Sequence, residues 1–187
     1  CRAEKVDGGW KINGQKTWCS NAHFAAAILL IARTDTSGGK HEGLTQFHIP
    51  RGTAGLEIRP ISTLGGSEVN DLYFTDCFVP DSAVVGEVGN GWKQLMAGLN
   101  TERLILGAMQ IGIAQRSFDD TLAFITERKQ FGRPIGSFQA LRHRMADHAT
   151  EIACTRELIY SVAKAADADP GHRMMREASM VKLKASE

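Results

Sequence analysis

The sequence predicts an α+β protein: an antiparallel β-barrel or sandwich followed by part of an antiparallel four-helix bundle. Three observations carry this. From Trp10 to about Val79, short β-branched or aromatic runs alternate with turn residues, as half-buried strands require. After Pro80 the apolar residues fall at helical spacing. Gly132-Arg133-Pro134 then interrupts that run and further helical stretches follow. The division places a middle β domain over residues 1–88 and a helical domain over 89–187.

Within the β half, Trp10-Lys11-Ile12, Ile28-Leu29-Leu30-Ile31 and Asp71-Leu72-Tyr73-Phe74 read as strand segments. Asn13-Gly14 separates Trp10-Lys11-Ile12 from Gln15-Lys16-Thr17-Trp18, and both residues tolerate the positive φ of a type I′ turn. A hairpin is therefore expected there, with Trp18 near the end of its second strand. The polar, glycine-rich residues 37–43 read as an exposed loop without chemistry.

In the helical half, Trp92, Leu95, Met96 and Leu99 begin a helix expected from about Trp92 to about Lys129. At about 1.5 Å per residue it exceeds roughly 50 Å, so it needs neighbours along its length. Ser137 is a plausible N-cap for a second helix carrying Leu141, Met145, Ile152, Ile159 and Val162, which Asp169-Pro170-Gly171 would end. A third helix is expected from Arg173 onward, with Met174, Ala178, Val181 and Ala185. It is still running at Glu187, and Cys1 is no initiator, so the chain reads as part of a longer protein.

The 187 residues carry 22 basic and 21 acidic side chains, a formal net charge of +1, with 43% hydrophobic composition. That balance disfavours a nucleic-acid or anionic-membrane surface. No run approaches the roughly 18 apolar residues of a spanning helix. The four cysteines lie far apart without a CxxC pair, so neither a metal centre nor a redox pair is expected, and reduced thiols are.

Several motifs have two readings. Gly86-Glu87-Val88-Gly89-Asn90-Gly91 before a helix has the openness of a phosphate cradle, but without a following Lys-Ser/Thr a β-to-α linker is favoured. His143 and Asp147 at i, i+4 match a metal-ligand spacing but lack a third ligand, leaving a solvated pair. Trp18 and Trp92 read on periodicity as core aromatics. Glu102-Arg103 inside an apolar helix is either a solvated charge pair or a functional carboxylate, since a buried Glu can serve as a base. Asp119, Asp120 and Glu127 read as helix-surface charges. Arg128-Lys129 at a helix end suits the dipole, and would equally suit an anionic cofactor.

Four motifs in order resemble the acyl-CoA dehydrogenase family: residues 13–21 (Asn13-Gly14-Gln15-Lys16-Thr17-Trp18-Cys19-Ser20-Asn21), Leu99-Asn100-Thr101-Glu102-Arg103, Glu127-Arg128-Lys129-Gln130-Phe131-Gly132, and Phe138-Gln139. The resemblance covers essentially the whole chain. It implies the middle β domain and the first part of the C-terminal helical domain of an enzyme that encloses FAD and an acyl-CoA thioester. By the same resemblance Trp18, Cys19 and Ser20 lie beside the flavin, with the Ser20 hydroxyl able to hydrogen-bond it. Arg128, Gln130, Phe131 and Gln139 match positions that hold the FAD of a neighbouring subunit. Asn100 and Arg103 match substrate-side positions, where many relatives have Asp at the first.

The implied reaction is α,β-dehydrogenation of an acyl-CoA: a base removes the α-proton and the β-hydrogen leaves as hydride to the flavin N5. Most members carry the base near the C-terminus. Isovaleryl-CoA and long-chain dehydrogenases carry it on this long helix directly before an arginine, as in Glu102-Arg103, and burial beside the thioester would raise its pKa. The resemblance further implies transfer of electrons to an electron-transfer flavoprotein, a homotetramer or dimer, roles in fatty-acid or branched-chain amino-acid breakdown, and a bacterial cytoplasm or mitochondrial matrix. An acyl-CoA oxidase of the same fold and a non-catalytic binding scaffold are the alternatives. The chain by itself is expected to be inactive.

Overall fold

A computed structural model describes residues 1–169, 171 and 174–187. Pro170, His172 and Arg173, which enter the expected end of the second helix and start of the third, lie outside the described residues. The chain divides into two compact units, Cys1–Met96 and Ala97–Glu187.

The first unit is one seven-stranded sheet. Its strands are β1 (Arg2–Val6), β2 (Gly9–Ser20), β3 (Ala27–Arg33), β4 (Leu44–Pro50), β5 (Leu56–Thr63), β6 (Gly66–Pro80) and β7 (Val84–Val85), in the spatial order β5-β6-β2-β1-β3-β4-β7. The sheet is open, so it forms no closed barrel. Neighbours pair antiparallel except β1 and β3, which join in parallel at Arg2 and Arg33 alone. At that thin seam the two halves fold towards each other. Trp10 of β2 meets Phe47 of β4 edge-on at 5.7 Å between ring centroids, although the two strands are not sheet neighbours. The core between the halves, including Ile12, Leu30, Phe47, Ile49, Leu72 and Val79, is sandwich-like.

The alternation expected of strands is present, with two phase shifts. Along β6 the buried positions run Asn70, Leu72, Phe74 and then Cys77, Val79, a jump of one residue. The shift sits at a bulge where Asp76 adopts φ 45° opposite Asn13. Asn13 Oδ1 accepts from the Asp76 N–H at 2.8 Å and its Nδ2 donates to Asp76 Oδ1 at 3.1 Å. Asn13-Gly14 therefore does not make the expected hairpin turn. It braces a bulge inside the continuous strand β2, and the hairpin is the β1–β2 link through Asp7-Gly8, with Gly8 at φ 72°. The strand region also begins earlier than Trp10, because β1 precedes it.

The second unit contains α2 (Gln139–Ala168), α3 (Met175–Ser186) and most of α1 (Gly91–Glu127), whose N-terminal residues belong to the first unit. Between α1 and α2 lie β8 (Lys129–Gln130), β9 (Arg133–Pro134) and a 3-10 turn, Ile135–Ser137. Ser137 is not the N-cap of α2: its hydroxyl donates to the Pro134 carbonyl at 2.7 Å, and Phe138 takes the cap position without a side-chain bond. Ile159, Val162, Met174 and Val181 form the core here, with Leu104 and Ile111 of α1 packed against it. Arg156 Nη2 donates to Gln115 Oε1 at 2.6 Å, and Lys184 pairs with Glu151, tying α1 to α2 and α2 to α3.

Candidate active-site segments

In the β unit the sequence-predicted residues Trp18, Cys19 and Ser20 close strand β2. Strict alternation from Trp10 and Ile12 would turn residue 18 into the core. Instead the β2–β6 register slips between Lys16, opposite Leu72, and Cys19, opposite Asn70, leaving residues 17 and 18 as an extra step in β2. Trp18 occupies that bulge at φ 63° and is 66% exposed, which overturns its reading as a core aromatic. Bulges re-aim side chains in this way. Trp10 is the core tryptophan, while Trp92 is half-buried and stacks on His41 at 4.1 Å.

Ser20 is exposed and Cys19 half-buried. Burial raises the Cys19 thiol above its ordinary range, more than the nearby Lys16 cation lowers it. Cys19 is thus held as a neutral thiol, and all four cysteines are free. Asn21, at φ 62°, donates its N–H to the Glu68 carbonyl at 2.7 Å and fixes the exit from the strand. The glycines of residues 86–91 answer to backbone geometry: Gly86 and Gly89 adopt φ 76° and 80°, and a Cβ on Gly91 would stand 2.8 Å from the Leu44 carbonyl oxygen, so the linker reading accounts for them.

On α1, Asn100 and Arg103 sit one turn apart, and Arg103 Nη1 donates to Asn100 Oδ1 at 2.7 Å. Asn100 is 7% exposed, so this charge-assisted bond holds the guanidinium against a fixed point. Glu102, between them in sequence, is exposed and makes no hydrogen bond or ion pair among the described residues. The burial expected of it is absent among the described residues.

Arg128, Gln130 and Phe131 gather at the turn after α1. Gln130 pairs with Arg133 across a two-residue link, Phe131-Gly132, whose φ angles of 53° and 78° are those of a type I′ turn. A phenylalanine at positive φ and 92% exposed is held against its conformational preference, a feature that clusters at functional sites. Phe131 meets Phe138 edge-on at 6.1 Å, and the Arg133 guanidinium lies 4.3 Å from the Phe138 ring centroid. Gln139 opens α2, whose first N–H groups have no side-chain cap and so present partial positive charge beside these cations. The sequence reading named neither Arg133 nor Phe138 as a site contact; the Pro that follows Arg133 drew attention to the break instead of to the hairpin.

Roughly 40 Å of helix separates Glu102 from Arg128 at about 1.5 Å per residue, so these groups form separate sites in one chain. A cleft of about 590 Å³ among α1, α2 and α3, lined by Phe118, Ile125, Met145 and Ile152 among others, contains none of the predicted site residues. His143 and Asp147 are solvated, and no group of three or more His, Cys, Asp or Glu is placed to hold a metal among the described residues. No described helix is long and apolar enough to cross a membrane.

Known proteins share this combination. The family profile for the acyl-CoA dehydrogenase middle domain matches residues 1–77, and that for the C-terminal domain matches residues 89–187. Rice isovaleryl-CoA dehydrogenase, mitochondrial (Oryza sativa subsp. japonica), is 41% identical over 190 residues, covering 100% of this chain and 46% of the relative. The short/branched chain specific acyl-CoA dehydrogenase, mitochondrial, of Bos taurus is 39% identical, covering 100% and 43%. The crystal structure of acyl-CoA dehydrogenase from Geobacillus kaustophilus superposes with a TM-score of 0.92 at 30% identity, covering 99% of this chain and 49% of that one. The chain spans about half the length of the relatives it matches. An open sheet with a re-aimed tryptophan, a long helix bearing Asn100, Glu102 and Arg103, and matches along nearly the whole length together place this chain in the acyl-CoA dehydrogenase family.

Proposed function

We propose that this chain forms part of an FAD-dependent dehydrogenase that introduces an α,β double bond into a branched-chain acyl-CoA thioester, with Glu102 as the base. The observation that carries this reading is the arrangement on α1: a carboxylate without a partner among the described residues, beside an arginine held by a buried amide. A base must reach its substrate, and among the described residues Glu102 is neither neutralised by an ion pair nor tied down. The relatives named for isovaleryl and short/branched chain substrates support the branched class.

The residues suit a flavin. The exposed Trp18 indole offers a flat face to a ring system, and the Ser20 hydroxyl stands two residues on as a donor. At the other site, Arg128, Gln130 and the uncapped start of α2 suit a pyrophosphate. Its distance from Glu102 along α1 supports service to the cofactor of a second subunit, hence a homo-oligomer, with a homotetramer as the proposed state. FAD, when bound, accepts the β-hydrogen as hydride. Arg103 and Asn100 orient the thioester arm, and the Glu102 carboxylate takes the α-proton, leaving the enoyl-CoA. An electron-transfer flavoprotein is the proposed acceptor, in a mitochondrial matrix or bacterial cytoplasm.

The test uses the full-length protein with Glu102→Gln. The expected result is flavin bound as in the wild type but no bleaching of its visible absorbance by an isovaleryl-type acyl-CoA, a loss of at least about a hundredfold in rate, in the range of general-base removal. Near-normal bleaching would show that another group is the base.

A further inference from the structure

We propose that Asn70 is a positioning residue for the flavin-facing segment: its buried amide holds the Cys19 carbonyl and the His23 ring and thereby fixes the backbone of residues 18–20. This rests on the proposed placement of the flavin beside Trp18. Asn70 lies on β6 directly opposite Cys19, at the point where the β2–β6 register resumes after the Trp18 bulge. Its side chain is fully buried, an uncommon place for an amide in a sheet whose other inward residues on this strand are Leu72, Phe74, Cys77 and Val79.

Asn70 Nδ2 stands 3.0 Å from the Cys19 carbonyl oxygen, 3.2 Å from His23 Nδ1 and 3.4 Å from the Glu68 carbonyl oxygen. Two amide hydrogens serve the two nearer acceptors. The carbonyls require the NH₂ on this side, which settles the amide orientation, and an NH₂ donor requires His23 Nδ1 to be the unprotonated ring nitrogen. Asn70 Oδ1 is then left buried without a hydrogen-bond partner among the described residues. An apolar residue would avoid that cost, so the donors have a purpose that packing does not supply.

That purpose is visible in the loop. Beyond Ser20 the segment is pinned at Asn21 by the Glu68 carbonyl and at His23, whose carbonyl accepts from Arg51 Nη1 at 2.9 Å. Between the bulge and Asn21, Asn70 reaches the one carbonyl that lies between Trp18 and Ser20. Releasing it leaves the φ and ψ angles that aim the indole and the hydroxyl to the ladder pairs of Cys19 with Asn70 and Ser20 with Val69, and so loosens them.

The experiment compares full-length wild type with Asn70→Leu, which keeps the forked side-chain shape at a larger volume and removes both donors, and Asn70→Asp, which keeps the shape and sets a carboxylate against two carbonyl oxygens. The readouts are the visible spectrum and reduction potential of the bound flavin and the FAD dissociation constant. Trp18→Phe serves as the reference. We expect Asn70→Leu to shift the flavin band and potential in the same direction as Trp18→Phe and to weaken FAD roughly five- to thirty-fold, the ratio set by one or two lost hydrogen bonds. Asn70→Asp shifts them further. A flavin unchanged in Asn70→Leu while Trp18→Phe moves it overturns the role of Asn70 alone. A flavin unchanged in Trp18→Phe overturns the underlying placement, and this inference with it. Where Asn70→Asp fails to fold, Asn70→Leu decides the outcome.

Discussion

Trp18 shows how one backbone angle decides a side chain's fate. Its spacing from Trp10 and Ile12 assigns it inward, and only the positive φ at the bulge turns it outward. Its neighbour Cys19 gives a test at the same scale. Because burial favours the neutral thiol, the folded state holds this proton more tightly than the unfolded chain does. The resulting contribution to stability is complete below the ordinary thiol range and is lost as pH climbs through the raised folded value. Alkylation needs the thiolate, so Cys19 should react with iodoacetamide more slowly at pH 7 than the exposed Cys154, and its rate should keep rising above pH 9. Mass-spectrometric labelling by residue measures this; equal rates at pH 7 would contradict it. The side-chain identities at Trp18, Ser20, Glu102 and Arg128 were legible in the motifs. Their exposure was not, because exposure at residue 18 depends on a strand partner some fifty residues away.

At the scale of elements, periodicity located the long helix to within two residues at each end, Trp92 to Lys129 against Gly91–Glu127. It failed at Asn13-Gly14, where a turn-forming pair is consumed in bracing a bulge, and at Phe131-Gly132, where a type I′ link forms with a residue that the turn chemistry disfavours. Local propensity gives way in both places to cross-strand bonds: Asn13 to Asp76 in one, Gln130 against Arg133 in the other. Helix contacts carry a second test. Gly107 of α1 is buried against the Val181 side chain of α3, and an added Cβ would overlap Val181 Cγ1. Gly107→Ala should therefore destabilise the helical unit by about 1–3 kcal/mol despite its better helix propensity. That corresponds to a fall in Tm of several degrees, on the order of 2–4 °C per kcal/mol. A rise in Tm, as propensity alone predicts, would show that α3 yields.

For the whole molecule, charge and exposed apolar surface act together. The formal net charge is +1 and the isoelectric point about 7.9, while Ile105, Leu106, Met109 and Ile113 on α1 are exposed. With little charge repulsion to oppose contact between such faces, association of this chain should peak near pH 8. Light scattering against pH should show a maximum there, and Met109→Lys, which adds charge within the patch, should lower it. A flat profile would mean that the α1 face is not adhesive. By itself the sequence determined the α+β class, the order of strands before helices, the family and the residue types available for chemistry, since each is written in local periodicity and short motifs. Tertiary structure alone decided that the sheet is open and folds at the Arg2–Arg33 seam, that Trp18 and Phe131 face outward at positive φ, that Asn70 clamps Cys19, and that Glu102 stands exposed beside the Asn100–Arg103 bond. These depend on which distant residues meet, and pairing across a sheet or between helices is a property of the folded chain, not of any window along it.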